Sequence, residues 1–258
     1  MNKLEIKNLS ITYHSLEGET LAVKNLNLNI KEGDFVSIIG PSGCGKSSIL
    51  SAIAGLVPIS SGDIILDGES IVPSTNIKNN QIGYMLQKDH LFEWRTINEN
   101  IMLGLEVQDK IDPETIDTLN KMLIRYGLLN FKNYYPSQLS GGMRQRAALI
   151  RTLVLNPKLL LLDEPLSAID YQTRLAVSNE IYKIIKKEKK TSIMVTHDIA
   201  EAISVSDKIV VLTKRPASVK TIYDINLSVK DKTPIAAREA PEFKDYFNAI
   251  WKELDIHV

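Results

Sequence analysis

Gly40, Gly45, Lys46 and Ser47 satisfy G-x-x-x-x-G-K-[ST] directly after the apolar run Phe35 to Ile39 and directly before a helical pattern. That spacing suits an anion carrying several charges. Gly43 and Gly45 permit backbone angles that aim successive N–H groups inward, the helix start adds the positive end of its dipole, and Lys46 adds a full charge. Ser47 offers a hydroxyl oxygen to Mg²⁺. The stretch Gly40, Pro41, Ser42, Gly43, Cys44, Gly45, Lys46, Ser47 and Ser48 is therefore the expected cradle for the phosphates of ATP. The plainer alternative is a glycine-rich strand-to-helix turn with an exposed lysine. Cys44 reads as a small residue that fits the loop rather than a redox sensor.

A second group of candidates follows the apolar run Leu159 to Leu162, which delivers Asp163 and Glu164 at the carboxyl end of a strand. Asp163 is placed to hold Mg²⁺ directly or through water, and Glu164 to polarise an attacking water as general base. Two adjacent acids also cap helices, but four leucines in front and Pro165 behind favour the catalytic reading. LSGGMRQR at 139 to 146 places Ser140, Gly141 and Gly142 at a helix start, where hydroxyl, backbone N–H groups and dipole face an anion. Taken alone, that motif reads as an ordinary helix start. Gln87 alone is an ordinary exposed glutamine, and His197 alone is a structural histidine at a strand end.

These residues need a scaffold of strands and helices. Leu4, Ile6 and Leu9, then Leu21, Val23, Leu26, Leu28 and Ile30, alternate with polar residues, predicting half-buried antiparallel strands joined by the polar loop HSLEGET. The first of them reads as an edge strand. Phe35 to Ile39, Leu159 to Leu162, Ser192 to Val195 and Ile209 to Leu212 are continuous apolar runs, as expected of strands covered on both faces. With a helical stretch from Arg174 to Lys190 between two of them, right-handed βαβ units around a parallel sheet are the economical topology. Ile82 to Leu86 is strand-like. Between Gln87 and Asn156 the pattern is mainly helical, with candidate helices at Ile97 to Leu105, Asp112 to Tyr126 and Gly141 to Leu155 and a stop at Asn156-Pro157. From Arg215 onward the chain alternates weakly and closes on a helix candidate, Pro241 to Leu254. KKEKK at 186 to 190 reads as a solvated helix end.

The 258 residues carry 31 lysines and arginines against 31 aspartates and glutamates. A zero formal charge gives no electrostatic case for nucleic acid as main partner. The single Cys44 excludes an internal disulfide and fits a reducing compartment. No run approaches the roughly 20 apolar residues of a membrane-spanning helix, and the first residues lack the apolar stretch of a signal peptide. If this chain drives transport, the pore belongs to another chain.

With GPSGCGKS, Gln87, LSGGMRQR, LLLLDEP and VTHD in this order, the chain resembles the nucleotide-binding subunits of ABC transporters over nearly its whole length. The resemblance implies an α/β fold: a P-loop NTPase (RecA-like) core with a parallel sheet, an antiparallel β subdomain and an inserted helical subdomain. It implies an ATPase domain over 1–214, with core 1–87 and 157–214 and the helical insertion at about 88–156, and a C-terminal extension at 215–258. In that family Ser140, Gly141 and Gly142 of one subunit close over the γ-phosphate held by another, implying a head-to-tail dimer of two copies. Met143 departs from the commoner glutamine.

The same resemblance assigns Gln87 to sensing Mg²⁺ and the attacking water, and His197 to bonding the γ-phosphate and orienting Glu164. It brings Asp170 of SAID to the opposite subunit and sets Tyr13 against adenine, although an aromatic on a strand also packs without a ligand. The segment from Leu91 through Phe92 and Trp94, with the tail LTKRP, looks like the importer branch serving nitrate, sulfonate, taurine and pyrimidine-precursor uptake. Its apolar side chains would form a groove for a membrane permease, or serve as core of the insertion. Implied partners are a permease and, indirectly, an extracytoplasmic solute-binding protein, with the chain peripheral on the cytoplasmic face of the membrane. Two other readings stand beside this one. A soluble ABC ATPase working on nucleic acid or protein assembly would carry paired cassettes or long coiled coils, and a small-molecule P-loop kinase leaves LSGGMRQR and His197 without a role.

Overall fold

The computed structural model describes residues 2–16, 18–72, 81–167, 169, 171–230 and 232–254, with backbone alone for 171 and 172. In chain order the elements are β1 (Asn2–Ser15), β2 (Gly18–Lys31), β3 (Phe35–Ile39), α1 (Lys46–Ile53), β4 (Ser61–Leu66), β5 (Glu69–Ser70), β6 (Ile82–Met85), α2 (Ile97–Val107), α3 (Pro113–Arg125), α4 (Gly141–Leu153), β7 (Leu159–Asp163), α5 (Tyr171–Lys187), β8 (Thr191–Val195), α6 (Ile199–Val205), β9 (Lys208–Leu212), β10 (Val219–Asp224), α7 (Pro234–Glu239) and α8 (Phe243–Glu253). The chain divides into two compact units, residues 1–79 with 189–258, and residues 80–188.

In the first unit, every residue of β3 is buried, which marks a strand covered on both faces. It pairs in parallel with β8 and with β9, and β10 closes the edge antiparallel to β9. A separate antiparallel sheet runs β2-β1-β4-β5. The alternation of β1 buries Leu4, Ile6, Leu9 and Ile11 opposite Leu26, Leu28, Ile30, Ile64 and Leu66. Here the edge-strand expectation is overturned, because β1 pairs on both sides. The HSLEGET loop also shrinks. Tyr13, His14 and Ser15 pair with Thr20, Glu19 and Gly18, so the hairpin continues where both faces meet water and no apolar alternation marks it.

The weakly alternating tail is part of this unit's core. Strand β10 extends the sheet, and α8 seats Ile250 among Ile39, Ile199, Ile203, Ile209, Val211 and Ile225. Full burial of one such side chain stabilises by about 1.5–3 kcal/mol. Phe243, Tyr246 and Phe247 flank it, giving the predicted terminal helix its apolar face.

In the second unit, β6 and β7 pair in parallel with Met85 opposite Leu162. Helix α2 starts in a reciprocal cap between Thr96 and Glu99, and α3 in another between Asp112 and Thr115 with Pro113 in its first turn. These caps explain why both helices begin where the periodicity predicts. Glu188 departs from the expected solvated KKEKK end, since it accepts from Arg125 at 2.9 Å and from the Tyr126 hydroxyl. No described helix is long and apolar enough to cross a membrane.

Candidate functional site

Each unit holds one cluster of the residues singled out by sequence. In the first unit, the loop between β3 and α1 turns through Gly43 at φ 69° and Gly45 at φ 122°, conformations that L side chains rarely adopt. A Cβ on Gly45 would also lie 3.1 Å from the Ala22 carbonyl oxygen. Helix α1 begins at Gly45 with no side-chain cap and no acid in its first turn. The positive end of its dipole therefore meets no carboxylate from the helix's own first turn, which suits an external anion. Lys46 is buried, and its Nζ donates to the carbonyl oxygens of Gly40 and Pro41, both at 2.9 Å. Burial raises the Cys44 thiol above its ordinary range, against the nearby charge of Lys46, so it is a packed thiol.

Tyr13 lies half-exposed on β1, and its hydroxyl donates to Ser48 Oγ in the first turn of α1 at 2.9 Å. That bond brings an aromatic face beside the loop. His197 follows β8, whose Val195 stands opposite Ile38 of β3. Both the glycine loop and His197 thus leave the same carboxyl edge of neighbouring parallel strands, where open α/β sheets place ligands. His197 itself is exposed, while its neighbours are pinned. Thr196 donates to Glu201 and accepts from the Asp198 N–H, and Asp198 caps α6 by accepting from the Glu201 N–H at 3.0 Å.

In the second unit the parallel register of β6 and β7 carries Gln87 and Glu164 out side by side. Gln87 Nε2 donates to Glu164 Oε2 at 3.3 Å. Glu164 adopts φ 44°, an uncommon conformation for a non-glycine residue and one that recurs at functional sites. Asp163 is buried, and Tyr84 on β6 donates its hydroxyl to Asp163 Oδ2 at 3.3 Å. Sequence reading missed Tyr84. Its signal is position: in the β6–β7 register Tyr84 stands opposite Leu161, two residues before Asp163.

Ser140 caps α4, its Oγ accepting from the Met143 N–H at 3.3 Å, which leaves the hydroxyl hydrogen free to donate elsewhere. Gly141 faces open space. A Cβ on Gly142, by contrast, would come 2.7 Å from Val177 Cγ2, so that glycine permits α4 and α5 to approach. The segment after Gln87 is bolted to α4: Arg144 Nε meets Asp89 Oδ2 at 3.1 Å, and Arg151 donates to the Asp89 and His90 carbonyls at 2.6 and 2.7 Å. Asp170 lies outside the described residues.

Three apolar residues after Gln87 separate into different roles. Leu91 is buried in the insertion, whereas Trp94 is 74 % exposed and stacks on Phe92 at 4.8 Å between ring centroids. Buried Asn100 holds that loop, accepting from the Phe92 N–H at 2.7 Å and donating to the carbonyls of Phe92, Arg95 and Thr96, each at 3.0 Å. A cavity of about 480 Å³ lies elsewhere in the second unit, walled by Arg125, Tyr126, Arg146, Glu180, Lys183 and Lys187. Burial and the Glu188 carboxylate push the Tyr126 phenol up to about 12. None of the residues expected to act on nucleotide lines that cavity.

Residues 23–167 match the profile described as ABC transporter. An uncharacterised ABC transporter ATP-binding protein of Bacillus subtilis, YtlC, is 44% identical over 99% of this chain and 96% of its own length. The nitrate import ATP-binding protein NrtD of Synechocystis is 36% identical over 96% of this chain and 93% of its own. The aliphatic sulfonates import ATP-binding protein SsuB of Bacillus thuringiensis is 38% identical, with 87% of each chain covered. Among solved structures, a dimeric ATP-binding cassette in a post-hydrolysis state with ADP and Pi superposes with a TM-score of 0.72 at 33% identity, covering 86% of this chain and 99% of that one.

Proposed function

This chain belongs to the ABC transporter family, and from that premise we propose that it powers an importer for a small anionic solute of the nitrate or sulfonate type. It is an ATP-binding ATPase. The loop from Gly40 to Ser48 is the seat of the triphosphate, with Lys46 leaving its two carbonyl contacts for phosphate oxygens and Tyr13 stacking on the base. The donor set fits: an uncapped helix start, two left-handed glycines and a buried lysine. Mg²⁺, a hard cation that prefers oxygen, suits the Ser47 hydroxyl, the Asp163 carboxylate and the Gln87 amide oxygen. It would neutralise charge on the phosphates. Glu164, held by Gln87, takes the proton from the attacking water, and His197 serves the γ-phosphate.

Ser140, Gly141 and Gly142 serve the nucleotide of a second copy, as the open space at Gly141 allows. The likeness to a dimeric cassette supports this pairing. A permease is the second partner, with the chain peripheral on the cytoplasmic side and an extracytoplasmic receptor acting through the permease.

The observation that carries the transport side is the exposed Trp94 ring packed on half-buried Phe92, in a loop held by Asn100 beside the Gln87 segment. Aromatic side chains in such settings anchor protein interfaces. Co-purification from native membranes should recover a permease with the wild type and lose it with Trp94→Asp, while ATP binding by the isolated variant persists. Undiminished capture and uptake by Trp94→Asp would remove the docking reading.

A further inference from the structure

We propose that Arg215, in the tail segment LTKRP, is a positioning residue for the nucleotide loop, acting as a clasp on its backbone. Its Nε and Nη2 both donate to the Gly43 carbonyl oxygen, at 3.2 and 3.0 Å. Gly43 is the left-handed turn of the loop, and a carbonyl held outward there keeps the following N–H groups aimed at the anion position. Lys46 occupies the carbonyls of Gly40 and Pro41, so two cations between them hold three carbonyl oxygens of one short loop. Lys46 must release its pair to reach phosphate. Arg215 need not move, because its bond lies on the Gly43 carbonyl rather than on the N–H side.

The clasp is anchored at its base. The Ala217 N–H donates to the Ala22 carbonyl at 2.8 Å, and the Lys24 N–H donates to the Ala217 carbonyl at 2.9 Å. Thr213 and Ser218 close the turn, with the Thr213 N–H on the Ser218 carbonyl at 3.0 Å. Ala217 is fully buried, and Gly45 lies beside it, a Cβ there falling in ordinary contact at 3.7 Å from the Ala217 methyl. Arg215 is exposed, so its guanidinium is not needed to fill the core. The first residues of the C-terminal extension therefore have a task at the nucleotide site, which their sequence alone does not reveal.

The inference rests on the phosphate-loop reading. Its test is equilibrium binding of a fluorescent ATP analogue and steady-state hydrolysis by Arg215→Ala, Arg215→Gln, Arg215→Lys and, as reference, Lys46→Ala. Loss of the clasp should weaken binding and raise KM roughly 10-fold, the worth of one charge-assisted hydrogen bond, with kcat within about twofold of wild type. Backbone hydrogen exchange at residues 43–46 should quicken without nucleotide. Arg215→Gln keeps a neutral donor for Gly43 and should recover much of the affinity. Unchanged hydrogen exchange at residues 43–46 in Arg215→Ala would show that the guanidinium does not hold the loop, and would overturn the proposal. Wild-type affinity in Arg215→Ala beside a weakened Lys46→Ala would also overturn it while leaving the phosphate site intact. Wild-type affinity in both would remove the phosphate-site reading as well.

Discussion

The glycine loop of the first unit and the carboxylate pair of the second hold their working groups by opposite means. In the loop, geometry is set by backbone: left-handed glycines, an uncapped helix start and a lysine that reaches back only five and six residues. At the carboxylates it is set by side chains that cross the chain, Tyr84 reaching Asp163 over 79 positions and Gln87 reaching Glu164 over 77. A backbone cradle is rigid and suits binding. A carboxylate held by hydrogen bonds that can be remade suits a proton-transfer step, and its performance depends on elements far away in sequence.

That division predicts which quantity each substitution changes. Glu164→Gln should lower turnover by roughly 100- to 10,000-fold, the usual contribution of a general base, while nucleotide affinity persists. Single-turnover hydrolysis beside equilibrium binding makes the distinction. Lys46→Ala should act on the other side, weakening ATP binding by roughly 10- to 100-fold through lost charge-assisted hydrogen bonds. If both variants lost affinity and turnover in equal measure, the two regions would be one indivisible device and the comparison would fail.

Tyr84→Phe sharpens the contrast at smaller scale. Removing the hydroxyl from Asp163 should reduce kcat by roughly 5-fold and leave the affinity for nucleotide without metal unchanged, since one neutral hydrogen bond contributes about 1 kcal/mol. Measuring hydrolysis across a Mg²⁺ titration tests this directly. A wild-type rate at every Mg²⁺ concentration would show that Asp163 is held without Tyr84.

How much of this was legible in the sequence follows the same division. The glycine loop, α1, β3, β7 and the two capped helices of the insertion are local matters, written in spacing, turn residues and continuous apolar runs, and the structure has them within a few residues of the reading. What escaped depends on pairing. The first strand alternates as an edge strand does, yet β4 covers its second side, a partner contributed from more than fifty residues away. Strand β10 alternates only weakly because its inward residues are half-buried, so its hydrogen bonds to β9 define it more than its hydropathy does. Tyr84, the Asp89 link to Arg144 and Arg151, and the Arg215 bond to Gly43 are each visible only once register brings distant residues together.

The weakest expected effect concerns acid. Hydrogen bonds from Thr96 hold the Glu99 carboxyl below its ordinary 4.5, and the Thr115 N–H holds Asp112 below its ordinary 3.8. Both pKa values are depressed on folding, so their stabilisation is complete above those ordinary values and is lost as pH falls through the lower folded ones. Helix α1 has no titratable cap. Hydrogen exchange in the first turns of α2 and α3 should therefore quicken as pH drops below about 4, after correction for intrinsic exchange, while the first turn of α1 keeps its protection. Thr96→Ala should shrink the acid response of α2 alone, since it deletes the hydroxyl partner of Glu99 while the backbone N–H of residue 96 still donates to the carboxylate, and it leaves α3 untouched. An unchanged response in that variant would mean that the helix start is held by packing of buried Ile97 and Ile101 and not by its cap.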